Sequence, residues 1–149
     1  VVDEHVAVLP GKDGRKMSKS YNNTIPLWLP EKQLRKAIMR IVTNSLEPGE
    51  PKDPDDSALF AIYAAFASPE QRADMRRAFQ EGIAWGEAKQ QTFELINAEL
   101  VRGRERYDAL MSEPRRIEEV LVDGAARARD WATPFLARIR DAVGIRRLA

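Results

Sequence analysis

A chain of 149 residues, 44% hydrophobic and 32% charged, has the length and balance of one soluble globular domain with its own core. It has no cysteine, which excludes a disulfide framework and a thiolate metal site, and its net charge of +1 does not by itself mark a nucleic-acid binder. No apolar run is long enough to span a membrane and the first residues lack a signal-peptide layout, so a cytoplasmic protein is the simplest reading.

In chain order, Val6-Ala7-Val8-Leu9 is a short apolar run that reads as a strand stub with no partner strand elsewhere in the sequence. Gly11 and Gly14 bracket Asp13 and predict a turn. Lys16-Met17-Ser18-Lys19-Ser20 follows, with two ammoniums, two hydroxyls and no carboxylate. Such a loop can cradle a polyphosphate, or it can be a solvated basic loop. Its glycines and charge predict mobility over residues 11–23. Pro30 suits the first position of a helix whose inner face is Leu34, Ile38, Ile41 and Val42. Residues 44–56, with three prolines and a glycine, read as a linker.

Residues 58–67 are apolar nearly all round, as in a buried helix. Ser68-Pro69-Glu70-Gln71 has the pattern of a capping box, opening a helix with Met75, Ala78 and Phe79 that stops near Gly82. One long helix is predicted over about 86–111, with Gly103 costing it about 1 kcal/mol relative to alanine. Pro114 opens a short helix with Ile117, Val120 and Leu121 inward. Asp123 is placed as the cap of a last helix through Ala125, Ala128, Ala132, Phe135, Ile139 and Val143. Pro134 should kink that helix, and Gly144-Ile145 suits a Schellman stop. Charge is uneven: nine Lys/Arg against six Asp/Glu in residues 1–52, four against nine in 53–101, and eleven against eight thereafter. All basic residues of the last third are arginine, which suits phosphate contact and base stacking but also simple solvation of helix faces.

At all five positions Lys16-Met17-Ser18-Lys19-Ser20 resembles the KMSKS signature of class I aminoacyl-tRNA synthetases. The flanking sequence looks like the tryptophanyl branch. Asn23 follows the last motif serine by three residues, with Ile25 soon after. Ile41-Val42-Thr43-Asn44-Ser45 is similar to the branch's post-motif helix end, with Asn44 where the family has Asp. Trp85-Gly86-Glu87-Ala88-Lys89 resembles its aromatic-Gly-x-x-Lys segment. Gly124-Ala125-Ala126-Arg127-Ala128 and Ala142-Val143-Gly144-Ile145 resemble its C-terminal helix.

The resemblance implies a mainly α architecture: a helical bundle preceded by the KMSKS loop and the strand stub of a Rossmann-like catalytic domain. Residues 1–28 would end that domain and residues 29–149 would form the helical anticodon-binding domain. The implied function is ATP-dependent attachment of tryptophan to tRNA(Trp), with magnesium, by a homodimer. Lys16 and Lys19 would be catalytic, and with Met17, Ser18 and Ser20 they would bind ATP. Trp85 and Lys89 are candidates for a base-stacking platform and a phosphate contact with tRNA, although core packing is the commoner role of such a tryptophan. No metal-ligating residues are expected. His5, the single histidine, cannot build the His-x-Gly-His signature of the class and reads as a surface residue. With the tryptophan pocket also absent, this portion should be inactive alone. Three other readings stand beside this one: a non-catalytic tRNA-binding helical module, the tyrosyl relative, and a structural bundle whose basic loop has no ligand.

Overall fold

Residues 8–145 are described by a computed structural model. His5 and the first half of the expected strand lie outside them. Val8 and Leu9 form no strand. The turn at Gly11–Gly14 folds the chain straight back, so Pro10 pairs with Lys16 in a single antiparallel bridge and Met17 N–H bonds Leu9 C=O at 2.9 Å. The stub therefore has a local partner, the motif itself. Among the described residues the rest is α: α1 (Glu31–Met39), α2 (Ala58–Ala64), α3 (Pro69–Gln80), α4 (Trp85–Ser112) and α5 (Pro114–Ala142). The chain divides into two compact units, Val1–Glu105 and Arg106–Ala149. Leu9, Ile25 and Leu29 pack on the same core as the helices.

In the first unit, α1 starts one residue after Pro30, whose carbonyl accepts from Gln33 and Leu34 N–H. Leu34, Ile38 and Ile41 are buried. The helix ends at Arg40, so the 3.6-residue period no longer governs Val42, which is exposed and not on the inner face. Ser57 caps α2 by accepting from Phe60 N–H at 3.3 Å. At Ser68 the capping box is complete: its hydroxyl accepts from Gln71 N–H at 3.3 Å and the Gln71 side chain accepts from Ser68 N–H at 2.9 Å.

Phe79 is fully buried, with edge contacts to Phe60 and Trp85, each at 5.5 Å between centroids. From α4, Ala88, Phe93 and Ile96 close the core, and the buried Thr92 hydroxyl donates to Ala88 C=O at 2.7 Å. The linker between α1 and α2 is fastened at several points. Gly49 N–H bonds Gly82 C=O at 2.8 Å, and a β-carbon on Gly82 would lie 2.4 Å from the Gly49 carbonyl carbon. Lys52 is 2% exposed, and its ammonium donates to the carbonyls of Glu47 and Glu50 at 2.9 and 2.8 Å.

The second unit consists of the end of α4 and α5. The expected break at Asp123 is absent, and Pro114–Ala142 is one helix of 29 residues. Gly124 costs a helix only about 1 kcal/mol, and Asp123 pairs with Arg127 one turn on at 3.1 Å instead of capping. Pro134 lies within the helix without ending it. Ile145 N–H returns to Arg140 C=O at 2.8 Å with Gly144 at φ +75, the expected Schellman stop. No residue of α5 is buried. Val120, Leu121, Phe135 and Ile139, expected inward, are exposed, as are Trp131 and, just beyond the helix, Val143. Periodicity defined the apolar face but not what covers it.

Candidate functional site

The Lys16–Ser20 segment is held from several sides. Gly14, at φ +80, completes a turn in which Gly11 N–H bonds Arg15 C=O at 2.7 Å. Asp13 accepts from Arg15 N–H at 3.1 Å and from Arg15 Nε at 2.8 Å. The Arg15 guanidinium lies 4.5 Å from the centre of the Tyr21 ring. Ser18 opens a short 3₁₀ turn, Lys19–Tyr21, with its hydroxyl 3.3 Å from Ser20 N–H and 2.8 Å from the Ser20 hydroxyl. Asn22 closes that turn at φ 51, a left-handed conformation that asparagine tolerates.

At the centre is Asn23, 2% exposed. Its Oδ1 accepts from Ser18 N–H at 2.8 Å. Its Nδ2 donates to Asp13 Oδ1 at 2.7 Å and to Lys16 C=O at 3.1 Å. The Asn23 side chain, then Arg15, hold the Asp13 carboxyl below its ordinary 3.8, at about 2. Lys12 joins the loop to α1: its N–H bonds Asn23 C=O and its C=O accepts from Val42 N–H, both at 2.9 Å.

The loop is thus more tightly bonded than its glycines and charges suggested. The Lys16 and Lys19 side chains stay on its outer surface, and among the described residues neither has an ion-pair partner. Met17 and Ser18 are half-buried and Ser20 is exposed. Lys16 also borders a cleft of about 260 Å³ with Pro10, Gly14, Ser57 and the acidic residues Asp55 and Asp56. A second cavity, of about 460 Å³, is lined by Asp13, Asp53, Asp56, Asn44 and Trp85; its carboxylates suit no phosphate. Among the described residues no group of three or more carboxylate, imidazole or thiol side chains could hold a metal ion, and no step is assigned to magnesium.

The bonded partners of Trp85 and Lys89 lie on α1, α3 and the linker between α1 and α2. Trp85 packs on Phe79, lies 5.5 Å from the Lys52 ammonium and donates through Nε1 to Asn44 Oδ1 at 3.2 Å. The half-buried Lys89 ammonium is turned to the end of α1, 3.4 Å from Met39 C=O and 3.5 Å from Thr43 Oγ1, and burial pushes its pKa down. Sequence reasoning took Asn23 only as part of a pattern. The signal for its role was Gly11, where a β-carbon would lie 2.3 Å from Asn23 Cγ.

No protein-family model matches the chain. Tryptophan–tRNA ligase from Pseudomonas aeruginosa is 61% identical over 148 residues, 99% of this chain and 33% of the relative. The enzyme of that name from Neisseria meningitidis is 53% identical over 147 residues, 99% of this chain and 44% of the relative. Tryptophanyl-tRNA synthetase from Campylobacter jejuni, in a crystal structure with ADP and tryptophan, superimposes with a TM-score of 0.85 at 36% identity, over 97% of this chain and 46% of that one. The chain spans about a third of the length of the first of these relatives. The motif loop and the helices beyond it define a portion of an aminoacyl-tRNA synthetase. Within that class the chain belongs with the tryptophan–tRNA ligases, not with the tyrosyl relative weighed from the sequence.

Proposed function

We propose that this chain supplies the phosphate-binding loop and the tRNA-binding helices of a tryptophan–tRNA ligase, which attaches tryptophan to tRNA(Trp) at the expense of ATP. The observation that carries the reading is a firmly bonded loop that leaves two ammoniums exposed, neither of them in an ion pair among the described residues. The tryptophan carboxylate attacks the α-phosphorus of ATP, the bond to the β-phosphate oxygen breaks, and tryptophanyl-adenylate and pyrophosphate form. The acyl group then passes to a tRNA hydroxyl and AMP leaves. Lys16 and Lys19 hold the departing phosphates. Met17, Ser18 and Ser20 shape the loop, and the two hydroxyls add donors. In this reading residues 1–28 complete a catalytic domain, residues 29–149 form the anticodon-binding region, and the enzyme is a cytoplasmic homodimer that takes ATP with magnesium. The contacts of Lys89 and Trp85 support holding the end of α1 in place more than direct contact with tRNA.

Charge on pyrophosphate rises in the transition state, so an ammonium there lowers the barrier more than it tightens ATP binding. In the complete enzyme Lys19→Ala should slow single-turnover adenylate formation by roughly 10²–10³, with a much smaller change in ATP affinity. Lys19→Arg should restore only part of the rate, because a planar fork does not replace a point charge. A wild-type rate constant with only weaker ATP binding would overturn the assignment.

A further inference from the structure

We infer that Asn23 is a positioning residue for adenylate formation, fixing the arc of the Lys16–Ser20 loop so that its ammoniums meet the phosphates. The inference rests on the reading of that loop as phosphate-binding. Asn23 touches neither ammonium but ties down the peptide groups on both sides of Met17. Lys16 C=O accepts from its Nδ2 and Ser18 N–H donates to its Oδ1. The same amide reaches Asp13 at 2.7 Å and, more loosely, Arg15 C=O at 3.4 Å. Its own carbonyl holds Lys12 N–H at 2.9 Å. Through Ser18, which caps the turn that carries Lys19, the anchorage extends to the second ammonium.

The partners fix the orientation of the amide. A carboxylate and two carbonyls only accept, and Ser18 N–H only donates, so nitrogen and oxygen cannot be exchanged. No other side chain fits. Aspartate has no donor and would set a second carboxylate against Asp13. Serine is too short to reach both sides. Glutamine is one methylene too long for a position that is 2% exposed and wedged against Gly11. Gly11 is part of the same device, since a β-carbon there would enter the Asn23 side chain at 2.3 Å.

The test uses the complete synthetase carrying this chain, with two single-turnover measurements. One is adenylate formation from ATP and tryptophan; the other is transfer of tryptophan from preformed adenylate to tRNA, when no pyrophosphate remains to be held. Asn23→Ala should slow adenylate formation by roughly 10²-fold, the size of a small misplacement of catalytic groups, and leave transfer near wild type. Gly11→Ala, which displaces the amide without changing its chemistry, should give the same split, and the double variant should lose little more than either single one. Equal loss of both steps would mark Asn23 as merely structural and overturn the inference. A wild-type rate for Asn23→Ala beside a slow Lys19→Ala would overturn it while leaving the loop's role intact. A wild-type rate together with wild-type ATP affinity for Lys19→Ala would remove the phosphate-binding reading itself, and the inference with it.

Discussion

Trp28 lies across Gly103 of α4: a β-carbon on Gly103 would sit 2.6 Å from Cζ3 of the indole. The glycine that weakens the helix by about 1 kcal/mol is therefore the seat of a ring from the chain segment before α1. Trp28 is 41% exposed, so its ring is not fully enclosed. Gly103→Ala alone should therefore leave stability within about 1 kcal/mol of wild type, the helix gain being offset by overpacking. In a Trp28→Ala background the same substitution should stabilise by about 1 kcal/mol. Urea unfolding of the four proteins measures the coupling, and strict additivity would show that the ring does not rest on Gly103.

Asp13 gives a pH signature. Its carboxyl is held at about 2 by the Asn23 amide first and by Arg15 next. A depressed carboxyl contributes stability in full above its unfolded pKa of about 3.9, and loses it as pH falls through the folded value. Between pH 8 and 5 its bonds should thus hold unchanged. Carboxyl-carbon NMR should find Asp13 titrating near 2 in the parent protein and well above that in Asn23→Ala. An unchanged titration in the variant would show that the amide does not hold the charge.

Loss of the Ser68 hydroxyl should cost about 1 kcal/mol, as for other N-cap serines replaced by alanine. The hydroxyl serves Gln71 N–H and donates to the Glu70 carboxylate at 2.8 Å; the Glu70 backbone N–H first, and this hydroxyl next, hold that carboxyl below its ordinary range. Chemical denaturation of Ser68→Ala measures this, and Ser68→Thr should recover most of it. No loss in the alanine variant would mean that the box adds nothing beyond the helix that it opens.

The capping box shows what the sequence discloses well. Its chemistry is local, four residues long, and needs no knowledge of the rest of the fold. The same holds for the Gly144 stop and for α4, expected over about 86–111 and found over Trp85–Ser112. Long-range facts were hidden. Nothing near Gly103 announces Trp28, 75 residues away. Asn23 sits beside Asn22 in what reads as a turn, and only folding brings Lys12, Asp13, Lys16 and Ser18 around it. At Asp123 a cap and a mid-helix ion pair look alike in sequence. The motif loop was legible because all five of its residues are contiguous; its stiffness was not, because the bonds come from outside the motif.

That stiffness should divide the loop's amides. Ser18 N–H is bonded to a buried side chain and Met17 N–H to Leu9 C=O. Ser20 N–H reaches only the exposed Ser18 hydroxyl. Hydrogen exchange should therefore be slower at Met17 and Ser18 than at Ser20. Uniformly fast exchange over residues 11–23 would favour the mobile loop that the composition suggests.

The chain by itself should show no tryptophan-dependent exchange of pyrophosphate into ATP. The single histidine cannot form the histidine pair of the class. Exchange above the buffer blank, in a preparation free of host synthetase, would mean that these residues hold more of the active site than the loop.

Lys52 has a practical consequence. The residue is 2% exposed and its ammonium is clasped by two carbonyls, whereas Lys16 and Lys19 project into solvent. Amine-directed acylating reagents, read out by mass spectrometry, should modify Lys16 and Lys19 within the folded protein while passing over Lys52. The ratio of label on these sites then serves as an internal gauge. Shielding of Lys16 and Lys19 by an added nucleotide reports occupancy of the loop, and any label reaching Lys52 reports that the linker between α1 and α2 has come undone.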